Sequence, residues 1–316
     1  MGKISLAIHG GAGTIVKKDM TSEQEAAYRL ALKESLDAGY EILKNGGSAM
    51  DAVQAAVVAM EDNILFNAGR GSVFTSEGWN EMDAAIMDGA TLAAGAVAGV
   101  RNIRNPILLA AEVMLHSGHV FLSGKGANEF AIKQGIKTEP DEYFYSEYRY
   151  QQWLQMKDSD RYQLDHKDDH PGNLMNEKKF GTVGAVACDN EGNIAAATST
   201  GGMTNKRYGR IGDSPMIGAG TYANNTTCAI SCTGHGEIFI KAVTAYDVSC
   251  LMEYKKKTLQ QACEEAVMKK LVALNGEGGL IGVDAKGNVA MVFNSEGMYR
   301  GCRSSDGSNE ISIYKN

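Results

Sequence analysis

The sequence predicts an α/β protein in which antiparallel sheets pack face to face with helices outside. Three observations carry this. The turns Asp189-Asn190-Glu191-Gly192-Asn193 and Asp284-Ala285-Lys286-Gly287-Asn288 each stand between two apolar, strand-like runs, so one hairpin device is used twice without a solenoid period. Helical stretches come in pairs between the strand clusters, which favours sheet on sheet over alternating βαβ units. Glycine is plentiful at 37 residues while proline stops at 4. Much of that glycine lies inside apolar runs such as Gly95–Val100, where it permits close packing of layers; a flexible linker would bring serine and proline with it.

Along the chain, residues 4–8 read as a strand that stops at His9-Gly10-Gly11-Ala12-Gly13. Ser22 and Glu25 have the spacing of a capping box and open a helix. Leu32, Leu36 and Leu43 share one face of it, and Lys44-Asn45-Gly46-Gly47 ends it. Ser48 and Asp51 start a second helix that reaches about Met60. Met82–Met87 and Thr91–Val97 read as strands around the hairpin signal Asp88-Gly89. Asn105-Pro106 caps another helix. From about Tyr143 periodicity fades, and residues 157–179, rich in Asp and Lys, read as a mobile, solvated linker. Order resumes with strands Thr182–Cys188 and Ile194–Ser199, and helices follow at about 237–253 and 258–274.

Composition excludes several function classes. Hydrophobic residues at 44 % and charged residues at 22 % of 316 describe a globular chain with a sizeable core. A formal net charge of −7 offers no electrostatic footprint for nucleic acid. The cysteines Cys188, Cys228, Cys232, Cys250, Cys263 and Cys302 form no zinc spacing and read as buried free thiols of a reducing compartment. The first residues are too poor in apolar side chains for a signal peptide, and no apolar run has transmembrane length. The chain therefore reads as cytoplasmic, with a small-molecule substrate and neither nucleic acid nor membrane as partner. Its glycine-rich turns contain no GxxxxGK[ST] run to cradle phosphates.

The most informative position is Thr182. A charged linker ends at Gly181, and the next block starts with threonine. An internal threonine hydroxyl is a weak nucleophile. At a chain terminus its own α-amine, with a reference pKa of about 7.7–8.0, can take the hydroxyl proton. Taken alone, Thr182 reads more simply as a β-branched strand starter. Pairing across the 189–193 turn, however, returns Thr200 towards it. Gly209-Arg210-Ile211-Gly212-Asp213 places a cation and an anion in one loop, suited to the carboxylate and ammonium of an amino acid and equally to a surface ion pair. Thr233-Gly234-His235-Gly236-Glu237 is a turn that could present donors to an oxyanion.

Taken together, Gly181–Ala187, Ala195–Gly202, Gly209–Pro215 and Gly218–Ala223, with His9–Gly13, Leu65–Gly69, Asp83–Gly89 and Gly297–Gly301, resemble the plant-type asparaginases, or isoaspartyl peptidases, of the N-terminal-nucleophile hydrolases. The likeness runs from about Lys3 to Gly301. It implies a four-layer αββα sandwich with two antiparallel sheets between helical layers. It also implies self-cleavage between Gly181 and Thr182 into residues 1–181 and 182–316, which share one core and assemble as a pair of such pairs. Thr182 matches the nucleophile, Thr200 its hydroxyl neighbour, Arg210 and Asp213 the binders of the substrate's α-carboxylate and α-amine, and Thr233 with Gly234 the oxyanion hole. Asn67 matches a residue beside the nucleophile. Backbone carbonyls of Met60, Glu61, Asn63, Phe66, Ala68 and Arg70 match a sodium-binding loop, and catalysis itself requires no cofactor. The implied reaction is hydrolysis of isoaspartyl dipeptides and of the asparagine side-chain amide. Glycosylasparaginase, normally found with a signal peptide and disulfides, and a non-catalytic binder of the same fold are the alternatives. Arg70, His235 and the tail after Cys302 depart from the pattern.

Overall fold

The computed structural model describes residues 2–157 and 181–315. The linker expected at 157–179 therefore lies, apart from Lys157, outside the described residues. The first block contributes strand β1 (Ser5–Gly13), the helices α1 (Ser22–Lys44) and α2 (Ala49–Glu61), and the hairpin β2 (Met82–Asp88) and β3 (Ala94–Val100). It continues with α3 (Pro106–His116), β4 (Phe121–Ser123), α4 (Gly124–Lys133) and α5 (Glu147–Leu154). After Thr182 come β5 (Val183–Cys188), β6 (Ile194–Thr200), β7 (Thr221–Ala223) and β8 (Ala229–Gly234). The helices α6 (Gly236–Ala242), α7 (Thr244–Lys255) and α8 (Leu259–Glu264) follow, then β9 (Gly278–Val283), β10 (Val289–Phe293), β11 (Gly297–Ser304) and β12 (Asn309–Tyr314).

An eight-stranded sheet has the order β12-β11-β1-β5-β6-β2-β3-β4, and a four-stranded sheet the order β10-β9-β8-β7. The strands alternate sides as their period of two requires. Leu6 and Ile8 of β1, with Val183, Ala185 and Ala187 of β5, pack under α1, α2 and α3. Ala7, Val186, Cys188 and Ala196 face Ala229, Ile281 and Val283 of the second sheet. Ile230, Cys232 and Leu280 on that sheet's far side pack under α7 and α8. The result is the αββα sandwich.

Small side chains bring the two sheets together. A Cβ at Gly184 would lie 2.0 Å from Ser231 Oγ and 2.5 Å from His9 Nε2, distances no real Cβ tolerates. Gly184→Ala is therefore expected to cost about 1–3 kcal/mol of stability through overpacking, read as a lower urea midpoint at unchanged m-value.

Several expectations are corrected. The α1 cap is Thr21, not Ser22: Thr21 has extended φ/ψ, its hydroxyl accepts the Gln24 N–H, and its own N–H donates to Gln24 Oε1 in a capping box. β1 does not stop at His9 but continues through a bulge between His9 and Gly11. The Asp88-Gly89 connection is longer than a two-residue hairpin, because Asp88 caps Ala90 N–H and the Thr91 hydroxyl and delays β3 to Ala94. The long helix expected at 237–253 is broken at Val243, which adopts φ 49°. The stretch 258–274 is α8 followed by a π-helical turn at Glu265–Leu271. One pair in the larger sheet, β3 with β4, is parallel. The tail after Cys302 completes β11 and adds β12 as an edge strand. All six cysteines are free, and five are buried.

Candidate active site

The site lies at one end of the layer between the sheets, where the apolar pattern gives way to hydroxyls. Val183 pairs with Ser199 across the β5–β6 hairpin, which puts Thr182 opposite Thr200. Thr182 Oγ1 donates to Thr200 Oγ1 at 3.2 Å, and Thr200 Oγ1 also accepts the Gly202 N–H at 3.0 Å. Ser214 Oγ lies 3.3 Å from Thr182 Oγ1 on the other side. Thr182 is 9 % exposed, Thr200 3 % and Ser214 1 %, so this hydroxyl trio is nearly dry. Gly181, Thr182, Thr200, Gly202, Met203, Arg210, Gly212, Asp213, Ser214 and Gly234 line a single cavity of about 20 Å³. That is room for one water molecule and not for an amino acid. A wider surface groove, of about 670 Å³, is bordered by residues such as Tyr40 and Arg303 and by none of these.

Arg210 and Asp213 are brought to this cavity by the irregular loop between β6 and β7. The Arg210 guanidinium is held by Glu237 in the first turn of α6, with Nε 2.9 Å from Oε1 and Nη2 3.0 Å from Oε2. The ion pair of Arg210 is thus made with Glu237 and not with Asp213, while its side chain borders the cavity. Asp213 is 4 % exposed, and its Oδ2 has no hydrogen-bond partner. Burial pushes its carboxyl up to about 7, against the pull of nearby Arg210. Gly236 gives both groups room, since a Cβ there would lie 2.8 Å from Arg210 Nη2 and 3.0 Å from Asp213 Oδ1.

Thr233 and Gly234 end β8. Thr233 is fully buried and its Oγ1 accepts the Ala12 N–H at 3.3 Å. Gly234, at φ 150°, presses on the backbone of Glu277 and Gly278, where a Cβ would be 2.4 Å from the Glu277 carbonyl. Asn67 sits behind the Thr200 turn: its Nδ2 donates to Gly202 O at 2.8 Å, its Oδ1 accepts Val73 N–H, and its carbonyl accepts Gly201 N–H.

The loop after α2 was expected to offer carbonyls to sodium. The carbonyl of Glu61 lies 2.4 Å from where a Gly69 Cβ would stand, and those of Phe66 and Ile64 lie 2.1 and 2.7 Å from a Gly71 Cβ. The loop is thus a cradle of carbonyls closed around two glycines, with Ile64 as a contributor the sequence did not indicate. Met60, Asn63 and Ala68 carbonyls accept backbone N–H groups within the turn. The Arg70 side chain lies over the Tyr143 ring. Among the described residues, no group of three or more His, Cys, Asp or Glu could hold a metal ion, and no helix is long and apolar enough to cross a membrane.

Sequence reasoning missed Ser214 as a neighbour of Thr182, although it lies inside the quoted run Gly209–Pro215. It also gave no task to Ser231, Thr198 or Thr221, which are buried hydroxyls on three different strands. A hydroxyl replacing every second apolar residue near a strand end, as in Thr198 and Thr200 of β6, is the one signal that could have marked them.

The chain is similar to known proteins over nearly its whole length. The family described as Asparaginase matches residues 2–313. Isoaspartyl peptidase of Salmonella typhimurium is 53 % identical over 95 % of each chain. Isoaspartyl peptidase of Escherichia coli is 52 % identical over 95 % of this chain and 92 % of its own. Probable isoaspartyl peptidase/L-asparaginase 2 of Arabidopsis thaliana is 40 % identical over the full length of both.

Proposed function

The chain belongs to the asparaginase family, and from that premise we propose that it is a self-cleaving hydrolase of isoaspartyl dipeptides and of the L-asparagine side-chain amide. The observation that carries the reading is the Thr182 hydroxyl, flanked by those of Thr200 and Ser214 in a cavity shared with Arg210, Asp213 and Gly234.

Thr182 Oγ first attacks the Gly181 carbonyl carbon. The Gly181–Thr182 amide breaks, its nitrogen becomes a free α-amine, and water hydrolyses the resulting ester to a Gly181 carboxylate. Gly181, which lines the water-sized cavity, is then no longer bonded to Thr182 and can make way for a substrate. A substrate then offers its α-carboxylate to Arg210 and its α-ammonium to the unpartnered Oδ2 of Asp213, which directs its β-carbonyl at Thr182. The new α-amine takes the Oγ proton, Oγ bonds to the β-carbonyl carbon, and Thr233 with Gly234 stabilises the oxyanion. Ammonia or an amino acid leaves with the proton. Water, deprotonated by the same amine, releases aspartate and restores Thr182.

The carbonyls of Met60, Glu61, Asn63, Phe66, Ala68 and Arg70 would hold a sodium ion, a hard cation suited to oxygen donors. Its contribution would be to stiffen the loop that carries Asn67, and none of the steps above runs through it. The working form is two cleaved chains assembled as a pair, acting in the cytoplasm.

The proposal is tested by following aspartate released from β-aspartyl dipeptides and ammonia released from L-asparagine. A folded, cleaved protein that turns over neither would refute it. Asp213 adds a pH dependence. It meets an ammonium only when ionised, so with its carboxyl near 7, KM is expected to fall as pH rises from about 6 to 8, and Asp213→Asn to raise KM and abolish that slope. The same shift acts on stability with the opposite sign. The folded carboxyl keeps its proton above the reference value of 3.8. Its contribution to folding is therefore full below that value and is lost as pH rises towards 7.

A further inference from the structure

His9 is a fully buried imidazole to which the reaction above assigns no task. It sits in β1 opposite Gly184 of β5, on the face turned to the second sheet. Its Nδ1 lies 3.0 Å from the Thr182 carbonyl oxygen and its Nε2 lies 2.9 Å from Ser231 Oγ. A carbonyl oxygen can only accept, so the proton is on Nδ1, and Nε2 accepts from the Ser231 hydroxyl. Burial pushes the ring's pKa down to about 3, in keeping with one neutral tautomer.

The contacts continue beyond Ser231. Its Oγ is 2.7 Å from Thr198 Oγ1, and Thr221 Oγ1 is 2.6 Å from Thr198 Oγ1 and 3.0 Å from the Ser214 carbonyl. Ser214 Oγ then reaches Thr182 Oγ1 at 3.3 Å. The path leaves from the carbonyl of Thr182 and returns to its hydroxyl, crossing both sheets through buried groups. The bare Cα of Gly184 is what lets His9 and Ser231 meet.

We propose that His9 is a positioning residue for the nucleophile, acting through its Nδ1–H bond to the Thr182 carbonyl. The inference rests on the reading of Thr182 as nucleophile. While Gly181 is attached, Thr182 is tethered on both sides. After cleavage it is a chain end whose ladder pairing starts one residue later, at Val183, and chain ends lose order unless tied down. The His9 bond fixes rotation about the Thr182 Cα–C bond. That rotation carries the α-amine and Oγ together and so sets where both stand relative to Thr200.

Two substitutions separate the two halves of the imidazole. In His9→Asn the amide nitrogen replaces Nδ1, keeping the donor to Thr182 and losing Ser231. In His9→Gln the longer side chain reaches the place of Nε2, where its amide oxygen accepts the Ser231 hydroxyl, keeping Ser231 and losing Thr182. Both variants, compared as cleaved enzyme on L-asparagine, keep Arg210 and Asp213, so KM should not move. His9→Asn is expected to hold kcat within about threefold of wild type. His9→Gln is expected to lose about a hundredfold in kcat, the scale of a misplacement of about 1 Å. A His9→Gln chain with wild-type melting that stays uncut is the same outcome one step earlier. Equal losses in both variants, a loss confined to KM, or no loss in either would overturn the assignment. Ser231→Ala leaves the Nδ1 bond in place and should cost less than tenfold in kcat; a loss as large as that of His9→Gln would also overturn it. Thr182→Ala runs beside them, because activity surviving in it would sink the nucleophile reading itself and not the role of His9.

Discussion

Thr182→Ala is expected to remain one chain of 316 residues and to lose turnover by about 10⁴-fold or more, the scale on which removal of a nucleophile acts. The variant should nevertheless fold. Thr182 precedes β5, so no ladder bond between strands depends on its side chain. Among the described residues the deleted hydroxyl bonds to Thr200 and Ser214, both of which can turn to each other or to the water-sized space beside them. Intact mass under denaturing conditions, before and after incubation, reads cleavage; ammonia release reads turnover. Thr182→Ser keeps the oxygen and is expected to cleave, more slowly, because without the Cγ methyl the side chain has more rotamers to choose among. An alanine variant that still divides ahead of residue 182 would show that the attacking group lies elsewhere.

The next largest effect is expected at Arg210. Replacement by alanine should raise KM for L-asparagine by about 10²–10³-fold, in line with the roughly 2–5 kcal/mol lost when one partner of a hydrogen-bonded charge pair is truncated. Self-cleavage should proceed, because the attack on Gly181 involves no substrate carboxylate. Arg210→Lys is expected to recover little. The guanidinium spends Nε and Nη2 on the two oxygens of Glu237 and still has Nη1 left over. A lysine ammonium cannot present two parallel bonds to Glu237 and a further donor to the substrate. Initial rates across a wide range of asparagine concentrations decide this. A rise in KM shared by failure to self-cleave would mean that Arg210 supports the loop and not the ligand.

Local signals made the hairpin legible. Thr182, the 189–193 turn and Thr200 lie within one supersecondary unit, so their meeting follows from period and turn length. Arg210 with Asp213 and Thr233 with Gly234 are short-range pairs, and their family pattern is specific. What escaped was long-range or locally unfavourable. His9 and Ser231 are separated by 222 positions, and no spacing announces that two sheets will stack them. The break at Val243 uses a β-branched residue at φ 49°, a conformation its side chain disfavours, so packing imposes it against propensity. The α1 cap was missed by one residue because Thr21 and Ser22 are both good caps, and Gln24 completes a capping box with Thr21 as Glu25 would with Ser22.

The larger sheet has a topological consequence. β1 lies between β11 and β5, and β2 lies between β6 and β3, so strands from before and after residue 181 are dealt into one another like shuffled cards. The proposed cut at 181 would turn a single polymer into two whose strands remain interleaved, with β1 of the first piece lying between two strands of the second. The arrangement is easy to reach when both pieces are one molecule. Afterwards, two separated chains would have to find each other at a rate that depends on concentration. Such a scission would act as a ratchet on the folding history: the uncut polypeptide could lose its shape and regain it alone, whereas the cut one would preserve a structure that it inherited.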